Sequence, residues 1–497
     1  MGSVRATLAV LSLMTAPALA AETPVAAGAN PEITVYADDL ALVHDRRTFR
    51  LTTPETRFAF AGVSARLKPE TAFLSVVSNP QVKAADVKLL DQTFAFHVIS
   101  QQSLLEQSVG QDVSVVSTNP ATGRDVSDRA KVVSVRDGLV LDMGGKIYTG
   151  APGRLVFDGL PENLRPAPAL LVTAAGPVGK DITADLSYLT NGLDWHADYV
   201  AHYDGEGDRL DLTAWAMVTN TTGVDFKDAK LKLAAGEVNR VKAPPSPMPM
   251  RAMMMRADVP GAAAEAAPSA PNAPSQALDT VRLYTIARPT TLANGESKQL
   301  LLLQVNNLAV KHEYIVRGQP WYYTAPLPAH TEQGGAEIEV TVKNEPRSEG
   351  KSVKGKETKE SRDGSLGMAL PAGVVRAYGD DDGGATQFLG EDKVDAVVPG
   401  GDMHLHLGRD AELPVTREQL SFVHATDTIS ISAWRLSFKN AKSKPVTVRV
   451  EEPVSGAWEI PKETVAHTKN AAGLPEWSVT VPARGDVVLE YSIKTSL

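Results

Sequence analysis

Asp402, His404 and His406 are the residues whose types and spacing come nearest to metal chemistry. They share one face of a short alternating run, with Met403, Leu405 and Leu407 on the other. A His-x-His pair on a strand points two imidazoles the same way, which is a usable ligand spacing for zinc-like ions. The plainer alternative is a solvated strand face. A second candidate is the methionine cluster Met248, Met250, Met253, Met254 and Met255. Thioethers are soft ligands that suit Cu(I). The plainer alternative here is an adhesive apolar patch in a low-complexity loop. Neither candidate makes a cofactor a requirement, and the sequence assigns none.

Other constellations carry less. His196, Asp198, His202 and Asp204 share a strand face. At roughly 3.3 Å per residue, His196 and His202 stand about 20 Å apart and cannot hold one ion. The runs DGEGD (Asp204 to Asp208) and GDDDGG (Gly379 to Gly384) alternate carboxylates but lack the full calcium-loop pattern. Ser348 and Lys351 fit S-x-x-K in a charged stretch with no K-T-G after it. No G-x-S-x-G, H-E-x-x-H, P-loop or G-x-G-x-x-G occurs, so no catalytic residue is assigned.

Strands must position these groups. In Trp195 to Tyr203 the residues Trp195, Ala197, Tyr199, Ala201 and Tyr203 alternate with His196, Asp198, Val200 and His202. That period of two predicts a strand buried on one face and wet on the other. Leu210, Leu212, Ala214, Ala216 and Val218 repeat the pattern, as do Val446, Val448 and Val450. Three strands end in asparagine, at Asn220, Asn344 and Asn440, which fits a residue that tolerates turn geometry. Only Ser100 to Gly110 reads as helix, with a polar start, spaced leucines and a glycine stop.

Composition bounds the class. The 497 residues are 43% hydrophobic with net charge −9, enough for packed cores and without a clustered basic face for nucleic acid. There is no cysteine, which excludes disulfides, thiolate nucleophiles and Cys-based metal sites. Arg5, the apolar run Leu8 to Met14 and Ala18-Leu19-Ala20 read as a secretory signal peptide. No later stretch predicts a transmembrane helix.

The expected organisation is mainly β. A signal peptide spans 1–20 and an N-terminal β-domain 21–99. Residues 100–160 form either a small barrel or an extension of a neighbouring sheet. A central sandwich region spans 167–242, and a disordered Ala/Pro/Met-rich loop spans 243–278. A C-terminal sandwich region takes 279–497, with both sandwich regions expected to be immunoglobulin-like.

ITVYADDLALVHDRRTF, the Tyr188–Trp195–Tyr199 pattern, VTNTTGVDFKDAKLKLAAG, FKNAKSKPVTVRVEE and VPARGDVVLEYSI carry a resemblance. Together they resemble the mucoidy inhibitor A-like proteins and the domain of unknown function those proteins share. Members typically carry a coiled-coil insertion between the two parts, which this chain lacks. The resemblance implies an exported, mostly β bacterial protein and brings no catalytic residues with it. The function expected is a non-catalytic binding or scaffold protein of the cell envelope. Its partner would be an envelope protein or polymer, met through sheet edges and loops. Periplasmic copper handling and hydrolysis of envelope polymers are the alternatives.

Overall fold

The computed structural model describes residues 22–95, 98–120, 122–161, 164–204, 208–239, 275–278, 280–327, 331–345, 366–381 and 383–496. The signal-peptide residues, the cluster Met248, Met250, Met253, Met254 and Met255, and Ser348 to Lys351 lie outside them. Thirty strands, one α-helix and three short 3-10 helices account for the regular structure of the described residues, so the chain is mainly β. The helix is Gln101–Gln107, and Ser100 caps it by accepting from the Ser103 backbone N–H. Among the described residues no helix is long and apolar enough to cross a membrane.

The chain divides into two compact units. The first comprises 1–194, 219–232 and 288–297; the second comprises 195–218, 233–287 and 298–497.

In the first unit, Ala169–Ala175 pairs antiparallel with both Glu55–Ala61 and Lys88–Ala95. It is buried along nearly its whole length, as its continuous apolar sequence requires. Leu40–Arg50 pairs with Glu32–Tyr36 and with Asp181–Thr190. Phe49, Phe58 and Phe60 pack edge to face in the core, with Phe49 4.6 Å from Phe58.

The strands between 112 and 156 correct one expectation. They form an open five-stranded sheet of their own, neither a closed barrel nor an extension of a neighbouring sheet. Closure needs every strand to turn alternate side chains inward. Lys146–Thr149 is exposed at all its positions and pairs on one side only, with Val140–Met143. The apolar residues that remain, Val113, Val115, Ala130, Val132 and Leu141, make a core too small to fill a barrel.

The second unit is built on one large sheet. Its path runs through Thr386–Val394, Gly373–Asp380, Leu193–Asp204, Arg209–Asn220, Glu296–Arg317, Thr331–Lys343 and Asp402–His424, then on to Ile429–Lys439, Asp486–Ser496 and Ala457–Glu463. Leu193–Asp204 buries and exposes alternate residues as its sequence predicts. It runs parallel to Gly373–Asp380, with Ala197 opposite Gly373. A Cβ at Gly373 would stand 2.3 Å from the Ala197 carbonyl oxygen, so only glycine allows that approach. Two strands are long, at 22 and 23 residues (Glu296–Arg317 and Asp402–His424). Leu302 and Leu303, consecutive in the first of these, are both buried, so that stretch is covered on both faces. Trp434, Trp477, Phe438 and Tyr491 anchor the core beyond it, with Trp477 and Tyr491 stacked at 4.5 Å.

The three strand-ending asparagines share a structural role. All are buried, at 1% exposure, and none has positive φ. Their amides tie the following loop instead. Asn220 donates to the Val224 and Leu292 carbonyls. Asn344 donates to Met368 and Val398. Asn440 donates to Lys444 and Pro482 and accepts from the Lys442 backbone N–H. Side-chain hydrogen bonding, rather than turn tolerance, explains the recurrence.

Candidate functional site

Two β-bulges frame a cleft in the second unit. Between Gly373–Asp380 and Thr386–Val394 the register passes from Ala377↔Gly390 to Tyr378↔Phe388, which leaves Leu389 unpaired. Between Thr331–Lys343 and Asp402–His424 it passes from Ile338↔Gly408 to Glu339↔His406, which leaves Leu407 unpaired. In each case the next residue is a glycine with positive φ, Gly390 at 156° and Gly408 at 105°. A bulge bends its strand and re-aims the extra side chain. Leu389 and Leu407 both line the same cleft, of about 590 Å³.

Its other walls are aromatic and polar. Tyr203 comes from the end of Leu193–Asp204, while His312 and Tyr314 share one face of Glu296–Arg317. The His312 ring lies 6.0 Å from Tyr203 and 4.6 Å from Tyr314. Tyr203 is 8% exposed. Burial holds its phenol far above the ordinary tyrosine range. Burial also lowers the pKa of His312, so its imidazole is neutral at pH 7. Among the described residues, Tyr203 Oη and His312 Nε2 are both buried without a hydrogen-bond partner. Leaving such a group unpaired costs about 1–3 kcal/mol, so each calls for an explanation.

The lysine in the lining is already matched. Lys442 Nζ lies 2.8 Å from Asp410 Oδ2 and over the Tyr314 ring at 5.7 Å. Burial would lower the Lys442 pKa, but the bond to Asp410 outweighs it, and the ammonium stays charged. The Asn440 side chain positions this lysine, by accepting from its backbone N–H at 2.9 Å. At the rim, His202 Nε2 lies 3.1 Å from Asp380 Oδ1, and Arg409 Nη2 lies 3.5 Å from Glu337.

The histidines singled out by spacing sit on a neighbouring wet face. Asp402, His404 and His406 are exposed, while Met403, Leu405 and Leu407 are buried, as alternation predicts. Glu339 joins the two imidazoles. Its oxygens lie 3.3 Å from His404 Nδ1 and 3.3 Å from His406 Nε2. His406 Nδ1 is engaged by Asp392 at 2.7 Å. Burial would raise the Glu339 pKa, but the hydrogen bond and charge of Arg317 hold it below the usual carboxylate range. Among the described residues, no three His, Asp or Glu side chains converge to hold a metal ion. His196 and His202 serve separate pairs, with Asp198 and Asp380, each at 3.1 Å.

A third cluster is sealed in the core. Arg417 Nη1 donates to Glu452 Oε1 at 2.6 Å, and Tyr491 Oη donates to the same oxygen at 2.8 Å. Tyr323 Oη donates to Glu452 Oε2. Arg417 lies over the rings of Tyr322 at 5.1 Å and Trp434 at 5.9 Å. Side-chain exposure is 4% for Arg417 and 0% for Glu452. The knot is almost wholly shielded from solvent, so its chemistry is structural.

Sequence spacing pointed to His404 and His406 but missed the cleft, whose residues are scattered from 202 to 442. Two local signals mark it in retrospect. One is the Leu-Gly step that recurs at 389–390 and 407–408; the other is His312 and Tyr314 on the same strand face.

Fold and site together define a class: a multi-sheet, mainly β protein with a bulge-framed, aromatic and polar cleft in its second unit. Within that class the chain belongs to the family of the domain of unknown function DUF4139, whose profile matches residues 184–497. The matched span contains the cleft, the Glu339 face and the buried knot. No curated protein matches the sequence.

Proposed function

We propose that this chain is an exported protein of the bacterial envelope that binds a partner without transforming it, and that the partner seats in the bulge-framed cleft. The observation that carries the reading is the chemistry of the cleft wall. Lys442 is protonated and bound to Asp410. The Tyr203 phenol stays neutral, and burial keeps His312 neutral as well. None of these groups is an activated nucleophile, and paired or neutral groups of this kind suit recognition by hydrogen bonding. The signal-like N-terminus supports export, and the immunoglobulin-like and mucoidy inhibitor A-like readings of the sequence fit the same role.

The test immobilises the full mature chain and the variant Lys442→Met over a solubilised envelope fraction. Retention of envelope material by the wild type and its loss in the variant is the expected result. Equal retention removes the cleft from the function. Turnover of an envelope polymer by the purified chain would make it an enzyme instead. A mature protein that still carries residues 1–20 would overturn export.

A further inference from the structure

We infer that the cleft takes an uncharged, hydroxyl-rich ligand, the chemistry of a sugar unit in an envelope glycan. This rests on reading the cleft as a binding site and adds the class of ligand. Three observations converge on it.

The first is charge. Lys442 is paired with Asp410, His202 with Asp380, and Arg409 with Glu337. A charged ligand would have to share Lys442 or Asp410 with its present partner and leave water to do so. A neutral ligand disturbs neither. The second is hydrogen bonding. Tyr203 Oη and His312 Nε2 are buried without partners among the described residues. A phenol can donate or accept, and a neutral imidazole nitrogen does one or the other according to its tautomer. A hydroxyl does both, so it satisfies the pair in either tautomer. Both atoms are shielded from water, so the lining must give for a ligand to reach them. Leu389 and Leu407, carried on bulges outside ladder register, border that lining. The third is shape. At about 590 Å³ the cleft falls in the size range of small-ligand sites. Tyr203, His312 and Tyr314 pack edge to face along its wall, which gives the cleft an aromatic side of the kind that sugar sites use.

The experiment uses the full mature chain against arrayed neutral oligosaccharides (oligomers of glucose, of mannose and of N-acetylglucosamine) and two charged ones, oligogalacturonate and a chitosan oligomer. Saturable binding to a neutral oligomer is expected, weakened about tenfold by Tyr203→Phe, a change that removes one hydroxyl and keeps the ring. The same variant should unfold at the same or higher denaturant concentration, because its lost hydroxyl has no hydrogen-bond partner among the described residues. A merely structural hydroxyl would leave affinity untouched. Unchanged affinity in Tyr203→Phe, preference for a charged oligomer, or no neutral binding overturns the inference. Competition against envelope capture separates the two proposals. If capture depends on Lys442 but no neutral glycan competes, the ligand class fails and the binding reading stands. If capture ignores Lys442, the binding reading itself fails. Competition by short oligomers points to free sugars, and competition by intact envelope polymer alone points to the polymer; either result supports the class.

Discussion

The second unit holds two clusters of the same residue types that behave in opposite ways. In the core, Arg417 and Glu452 meet at 2.6 Å with side-chain exposures of 4% and 0%. On the wet face, Arg317 and Glu339 meet at 2.5 Å with exposures of 34% and 8%. The core pair is enclosed: Glu452 takes bonds from Arg417, Tyr491 and Tyr323, and aromatic rings flank the guanidinium, whose Nη2 has no partner among the described residues. The face pair is one link in a mesh. Arg317 also meets Glu337 and Glu451, and Glu339 also meets His404 and His406. Burial, rather than contact distance, decides what each pair is worth.

The largest expected effect comes from opening the core pair. Glu452→Gln keeps the shape and removes the charge, which leaves Arg417 buried and uncompensated. A loss of about 3–5 kcal/mol is expected in urea unfolding. Replacing both partners, as Arg417→Met with Glu452→Leu, should cost less than either single change, because no charge is then stranded. If the double variant is the least stable of the three, the knot stabilises through its own attraction, and the desolvation argument is wrong.

Gly318→Ala probes the same knot from outside its charges. A Cβ at Gly318 would stand 1.7 Å from Glu452 Oε2. That oxygen is held by Tyr323 and cannot swing away freely. Overpacking of this kind costs about 1–3 kcal/mol. The loss should disappear in the Glu452→Ala background only if the glutamate side chain is what the methyl meets; an undiminished loss there would place the clash in the backbone.

How much of this was legible follows from locality. The alternation in Trp195 to Tyr203 predicts the burial of every residue in that run, because a regular ladder keeps its period. His404 and His406 likewise fall on the wet face where alternation puts them. The knot was invisible, since Arg417 and Glu452 lie on separate elements and read as ordinary surface charges. Glu451 and Glu452 are sequence neighbours with side-chain exposures of 19% and 0%, and no local pattern says which of the two carries the buried charge. The cleft was hidden for another reason. Alternation holds through Leu407 and breaks just after it, at Gly408 and Arg409, and the second bulge falls at Leu389, so period alone does not bring the two leucines together. The asparagine repeat was visible at Asn220, Asn344 and Asn440, but its cause lies in carbonyls brought close by folding.

The smallest expected effect sharpens the comparison from the wet side. Arg317→Ala should cost about 1 kcal/mol or less, because its partners keep water and other cations nearby. Added salt should shrink even that difference, while the cost of Glu452→Gln should hardly change with salt. Acid separates the two sides further. Arg317 holds the Glu339 carboxyl below its ordinary value of 4.5, against a burial that would raise it. A carboxylate lowered in the folded state stabilises fully above its unfolded value, and that stability is lost as pH falls through the folded one. Without Arg317 the burial effect is less opposed, so the Glu339 pKa should rise. The variant should then lose stability at a higher pH than the wild type on the acid limb. The gap in unfolding midpoint should therefore be steady at neutral pH. It should narrow as pH falls below the ordinary carboxylate range, where the wild type surrenders the same contribution. A gap that widens in acid would mean that Arg317 stabilises through packing of its stem, and that the mesh on the wet face is not electrostatic.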